Sequence, residues 1–135
     1  MPRILYAEDN PDTARLVRFF LQGMRGAEVT MCRDGAEALE ALAGPAPDVV
    51  VLDVQMPKVD GLAVLAAMRA DPRHAAIPVI FLTSLDSESF REECIERGAQ
   101  ALLTKPFNPR LLVEEVRRQL AAAANDSNKS GESRG

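Results

Sequence analysis

The chain has 135 residues, enough for one domain with a sizeable core. Its 16 Lys and Arg against 20 Asp and Glu leave a net charge of −4 with His74 neutral, which argues against broad electrostatic binding of nucleic acid. No apolar run approaches the ~20 residues of a membrane span, and acids follow MPRILYA too soon for a signal peptide, so a cytoplasmic protein with no membrane or nucleic-acid partner is expected.

Short apolar runs alternate with longer segments of helical period. RILYA at 3–7 reads as a strand, after which Asn10 caps a helix with Pro11 in its first turn. Leu16, Val17, Phe20 and Leu21 form that helix's apolar stripe, and Gly23 and Gly26 end it. EVTMC at 28–32 is a second strand. Asp34 caps a second helix with Ala38, Leu39 and Leu42 inward, stopped by Gly44, Pro45 and Pro47. DVVVLDV at 48–54 has the near-continuous hydrophobicity of a strand buried on both faces in a parallel sheet.

Asp60 and Gly61 open a third helix with Leu62, Leu65 and Met68 inward, closed by Asp71-Pro72. IPVIFLT at 77–83 is a fourth buried strand, with Pro78 near its start, where a missing amide is tolerated. A polar helix runs from Asp86 and Ser87 to about Arg97, anchored by Phe90, Cys94 and Ile95. ALLT at 101–104 is a fifth strand, and Asn108-Pro109 opens a last helix with Leu112, Val116 and Leu120 on one face. From Asn125 no large apolar residue remains, so residues 125–135 read as a disordered polar tail after a single domain over 1–124. Cys32 and Cys94 show neither metal spacing nor a disulfide framework and read as reduced, buried side chains. His74, in the loop DPRHAA, reads as a surface residue, and Arg110, Arg117 and Arg118 as a solvated face.

Five βα units predict an α/β parallel sheet with helices on both faces and right-handed crossovers. Ligands in such sheets sit outside the carboxyl ends of the strands, where strand order reverses. Those ends carry Glu8 and Asp9, Asp53, Thr83 and Ser84, and Lys105 followed by Pro106. The carboxylates call for a hard cation, and Mg²⁺ fits because it takes oxygen ligands and works with phosphate oxygens. Lysine offers a compact positive charge to a phosphoryl oxygen, threonine a hydrogen bond, and Asp53 a nucleophile toward phosphorus. Taken singly, each has a plainer reading: Glu8 and Asp9 as acids preceding a helix, Thr83 as a cap, Lys105 as a surface lysine. Asp53 does not, because it ends a buried strand, where an unpaired charge costs several kcal/mol.

ILYAEDN, VVVLDVQMPKVDG, VIFLTS and LLTKPF, in this order and spacing, resemble the receiver domain of bacterial two-component response regulators, from about Arg3 to Ala123. The resemblance implies a (βα)₅ flavodoxin-like three-layer sandwich with strand order 2-1-3-4-5. It also implies that Asp53 is phosphorylated by a sensor histidine kinase or a histidine phosphotransfer protein. Asp9, Asp53 and the backbone carbonyl of Gln55 would ligate Mg²⁺, with Glu8 acting through bound water. Lys105, Thr83 and the Ser84 backbone would hold the phosphate, and Pro106 would follow a cis peptide bond. Leu102 departs from the family's aromatic at the switch position.

The expected protein is a stand-alone, chemotaxis-regulator-like regulator that catalyses only its own phosphorylation and dephosphorylation. It would act on an unidentified protein target, with a homodimer through the fourth helix, fifth strand and fifth helix left open. One alternative is a phosphate sink or relay intermediate without output. A second is a Mg²⁺-dependent aspartyl-phosphate phosphatase, disfavoured because Gln55 replaces the acid that such enzymes commonly keep two residues after the nucleophile. A third is a constitutive binding module, disfavoured by the intact Asp9, Asp53, Thr83 and Lys105.

Overall fold

The computed structural model describes residues 2–124, together with the helical backbone that the last helix carries on to residue 134. The elements alternate throughout: β1 (Arg3–Ala7), α1 (Pro11–Gln22), β2 (Glu28–Cys32), α2 (Gly35–Leu42), β3 (Val49–Asp53), α3 (Gly61–Ala70), β4 (Val79–Thr83), α4 (Glu88–Glu96), β5 (Ala101–Thr104) and α5 (Pro109–Arg134). The polar tail expected from Asn125 falls on residues whose side chains lie outside those described. All strands pair in parallel, in the order β2-β1-β3-β4-β5. This is the flavodoxin-like α/β architecture the sequence implied.

Alternation along each strand divides the core in two. Leu5, Ala7, Val50, Leu52 and Phe81 face α2, α3 and α4, and pack with Leu42, Leu65, Met68 and Cys94. Ile4, Tyr6, Val51, Ile80 and Leu82 face the other way, onto Val17 and Leu21 of α1 and Leu112 and Val116 of α5. β3 and β4 are buried at every residue, as their unbroken apolar runs required. Both cysteines are free and buried.

The helices start where their caps dictate. Asn10 Oδ1 accepts from the amides of Asp12 and Thr13, and Asp34, Asp60 and Ser87 cap α2, α3 and α4 in the same way.

Several local expectations need correction. β3 and β4 are each shorter than their apolar runs, since Asp48 and Val54 and then Ile77 and Pro78 fall outside the strands. Leu16 is 51% exposed, because Val17 and Leu21 fill the inward stripe of α1 and Leu16 is turned about 100° from Val17. Ile95 is exposed for the same reason, Cys94 taking the inward position on α4. His74, expected at the surface, is only 5% exposed: it lines a small cavity together with Leu39, Leu42 and Met68 of α2 and α3, with Nδ1 3.5 Å from Asp71 Oδ2.

Candidate functional site

Strand order reverses between β1 and β3, and the carboxyl ends of these two strands bring Glu8, Asp9 and Asp53 together. One carboxylate oxygen from each lies within 4.8 Å of the other two. Glu8 is held by the strand ladder itself, its amide donating to the Cys32 carbonyl at 3.0 Å. Glu8 is 2% exposed and Asp53 4%, whereas Asp9 faces outward. The set therefore has two carboxylates at the floor of the cleft and one at its mouth.

Lys105 compensates the floor. Its Nζ lies 3.0 and 3.1 Å from Glu8 Oε1 and Oε2, and 3.1 Å from Asp53 Oδ2. The other Asp53 oxygen, Oδ1, accepts the Gln55 amide at 3.2 Å. Burial and then Glu8 push the Asp53 carboxyl up to about 6, with Lys105 working against them. Burial opposes the charge on Lys105, but Glu8 and Asp53 outweigh it and raise its pKa. The lysine is thus a fixed cation shared by two acids.

The β4 edge supplies the hydroxyls. Thr83 is fully buried, its Oγ1 accepting the Leu85 amide at 3.0 Å, while its carbonyl accepts the Lys105 amide at 2.6 Å. Ser84 Oγ donates to Gln55 Oε1 at 3.0 Å and links the two loops that flank Asp53. The Lys105–Pro106 peptide bond is cis. Leu102 is 5% exposed and clusters with the core that includes Phe81 and Cys94, and its carbonyl accepts from Arg91 of α4 at 3.2 Å.

Of the residues singled out in the sequence, Glu8, Asp53 and Lys105 are in direct contact or share a partner, and Asp9 completes the acidic cluster. Thr83 and Ser84 line the neighbouring β4 edge, and Leu102 lies apart, in the core beneath α4. Sequence reasoning missed two contributors. Gly61 stands against the backbone of Asp53: a Cβ there would meet the Asp53 carbonyl oxygen at 2.6 Å, so only glycine lets α3 begin so close to this strand end. Tyr6 donates its phenol O–H to Glu8 Oε1 at 3.3 Å from inside the core. The signal for Tyr6 was available, since residues two apart on a strand share a face.

Residues 4–117 match the family model of the response regulator receiver domain. The chain is 38% identical over 117 residues to the DNA-binding dual master transcriptional regulator RpaA of Synechocystis sp., a match covering 87% of this chain and 48% of that protein. The receiver domain of Francisella response regulator 1452 superposes with a TM-score of 0.84 at 31% identity, covering 91% of this chain and 99% of that one. The receiver domain of sensor histidine kinase PA1611 from Pseudomonas aeruginosa PAO1, solved with a magnesium ion coordinated in its active site cleft, superposes with a TM-score of 0.80 at 28% identity, over 89% and 98% of the two chains.

The chain belongs to the response regulator receiver domain family, the phosphoacceptor modules of two-component signalling. It spans about half the length of that first curated relative. No helix among the described residues is long and apolar enough to cross a membrane.

Proposed function

We propose that Asp53 accepts a phosphoryl group from a phosphohistidine of a sensor kinase or phosphotransfer protein, and that the chain then signals in the cytoplasm through contact with a target protein. The observation that carries this reading is the contact of Lys105 with Asp53, on a buried floor shared with Glu8 and beside Asp9. Lys105 is shared by two acids and borders an opening.

In the transfer, an Asp53 carboxylate oxygen attacks phosphorus and the P–N bond to the donor imidazole breaks. The departing nitrogen keeps the electron pair, the ring leaves as neutral imidazole because its second nitrogen carries a proton, and an acyl phosphate forms on Asp53. Lys105, already beside Asp53, would turn from the carboxylates to the charge that develops on the phosphoryl oxygens. Among the described residues Thr83 Oγ1 acts only as acceptor, to Leu85, which leaves its hydroxyl proton free. Turning that O–H toward a phosphate oxygen would draw the loop after β4 inward, and Ser84 would offer its backbone amide to the same group.

The all-oxygen donor set of Glu8, Asp9 and Asp53 suits a hard divalent cation. Asp9, Asp53 and the Gln55 carbonyl would hold Mg²⁺ directly, with Glu8 acting through its water. Bound there, Mg²⁺ would neutralise charge on the transferring group. The chain would catalyse no reaction beyond its own phosphorylation and dephosphorylation.

A cleft of about 440 Å³ opens beside Lys105, lined by Thr13, Leu16, Ser84, Pro106 and Phe107. Its apolar wall, with Leu16 exposed at the rim, supports a protein as phosphodonor over a small polar molecule. Leu102 favours a second reading of the output. With a buried leucine in place of the family's aromatic, the chain can act as a phosphate sink or relay intermediate with no target of its own. A homodimer through α4, β5 and α5 is the competing output. Borohydride reduces an aspartyl phosphate to homoserine; after treatment with acetyl phosphate and Mg²⁺, peptide mass mapping should place homoserine at residue 53. Conversion at another aspartate, or none in protein shown to be phosphorylated, contradicts the assignment.

A further inference from the structure

Tyr6 is fully buried in the sheet, on the α1 and α5 side. A buried phenol needs a hydrogen-bond partner, and this one finds Glu8, two residues along the same strand face. Glu8 is nearly as buried, and its carboxylate has three sources of compensation. Lys105 Nζ contacts both oxygens, Tyr6 O–H reaches Oε1 at 3.3 Å, and the Asn10 amide reaches Oε2 at 3.4 Å. The last two are long, so Lys105 is the principal partner.

That arrangement creates a conflict. The reading of Asp53 as phosphoacceptor, on which this inference rests, requires Lys105 to turn from the carboxylates to a phosphoryl oxygen. Turning away strips Glu8 of its main partner, and a buried carboxylate left short of donors is costly. The protein donors that stay behind, beside the metal-bound water proposed above, are the Asn10 amide, tied to the start of α1, and the Tyr6 phenol. Only the phenol approaches from the core side, where water does not enter.

We propose that Tyr6 is a positioning residue of the phosphoacceptor site: its hydroxyl holds Glu8 at the back of the cleft and compensates that carboxylate when Lys105 is drawn to the phosphoryl group on Asp53. Tyr6 touches neither metal nor phosphate. It sets how readily the lysine is released, and so how well the site holds a phosphoryl group once the cation is in place.

The test is calorimetric titration with beryllofluoride, which adds to carboxylates as a phosphoryl mimic, at saturating Mg²⁺. The Tyr6→Phe variant keeps the ring and its packing and removes only the hydroxyl. Its affinity for beryllofluoride should fall about threefold to tenfold, the scale of one ordinary hydrogen bond, since this one is long at 3.3 Å. Its affinity for Mg²⁺ alone should change less than about twofold, because Lys105 stays on Glu8 until a phosphoryl group arrives.

In a Glu8→Gln background the Tyr6→Phe loss should shrink to under about twofold, since a neutral amide demands less compensation. Equal beryllofluoride affinity in wild type and Tyr6→Phe overturns the inference, as does an equal loss in the Glu8→Gln background, which marks a packing effect. Wild-type protein that binds no beryllofluoride with Mg²⁺ overturns the phosphoacceptor reading, and this inference with it.

Discussion

Lys105 and Glu8 stand 97 residues apart in the chain and meet through both carboxylate oxygens, at 3.0 and 3.1 Å, in the cleft at the carboxyl ends of β1 and β3. The same ammonium reaches Asp53, so one cation serves two buried acids. Removing it leaves Glu8 and Asp53 facing each other with no counter-charge. Lys105→Ala should therefore lower the stability of the metal-free protein by about 1–3 kcal/mol, with part of that loss recovered on adding Mg²⁺. Metal affinity should be retained, while beryllofluoride should no longer shift the amide signals of the loop after Thr83. Urea unfolding with and without Mg²⁺, and NMR titration, check these outcomes.

The Asp53 carboxyl has its pKa raised to about 6 in the folded chain, burial being the main cause and Glu8 the next. A raised carboxyl favours its protonated form in the folded state. Its contribution to stability is fully present below the unfolded value and is lost as pH rises through about 6. The Asp53→Asn variant lacks this loss. In EDTA it should match wild type near pH 4 and exceed it by on the order of 1–2 kcal/mol above pH 7. Urea unfolding across that range reads the difference directly. A difference that instead grew toward acid pH would contradict the assigned direction.

Gly61 begins α3 in contact with the β3 end, where a Cβ would lie 2.6 Å from the Asp53 carbonyl oxygen and 3.0 Å from Val54 Cα. Both neighbours are backbone and cannot step aside. Gly61→Ala should cost about 1–3 kcal/mol and displace the phosphoacceptor as well, so that the phosphorylation rate falls more than stability alone explains. Thermal unfolding paired with acetyl phosphate kinetics separates the two effects.

Arg69 forms a clamp far from the cleft. Its guanidinium donates to the carbonyls of Gly98, His74 and Ala75 and to the Gln100 side chain, tying α3 to the loops that precede β4 and β5. Arg69→Lys should destabilise by about 1–2 kcal/mol, because one ammonium cannot replace a planar fork that reaches two loops. Phosphorylation should persist in whatever fraction remains folded. Circular dichroism melts and a phosphorylation assay below the transition check the pair of outcomes.

The architecture was legible where local chemistry leaves little choice. VVVLD permits only a strand buried on both faces, and Asn10, Asp34, Asp60 and Ser87 mark helix starts by the amides they can accept. The acidic cluster was legible because every member ends a strand, and parallel strands bring their carboxyl ends to one edge. What stayed hidden depends on neighbours remote in sequence. His74 is buried although DPRHAA is polar, and it shares a cavity with side chains of α2 and α3 that are remote in sequence. Leu16 belongs to an apolar stripe by spacing, yet the facing helix uses only part of it. The sharing of Lys105 between Glu8 and Asp53 needed the depth of each side chain, which strand-end placement does not specify.

The most direct test of the central claim is phosphate-affinity gel electrophoresis after incubation with acetyl phosphate, with Mg²⁺ or EDTA, on wild type and Asp53→Asn. The account predicts a retarded band in wild type with Mg²⁺ only. A band of equal intensity in Asp53→Asn, or one indifferent to EDTA, would contradict it.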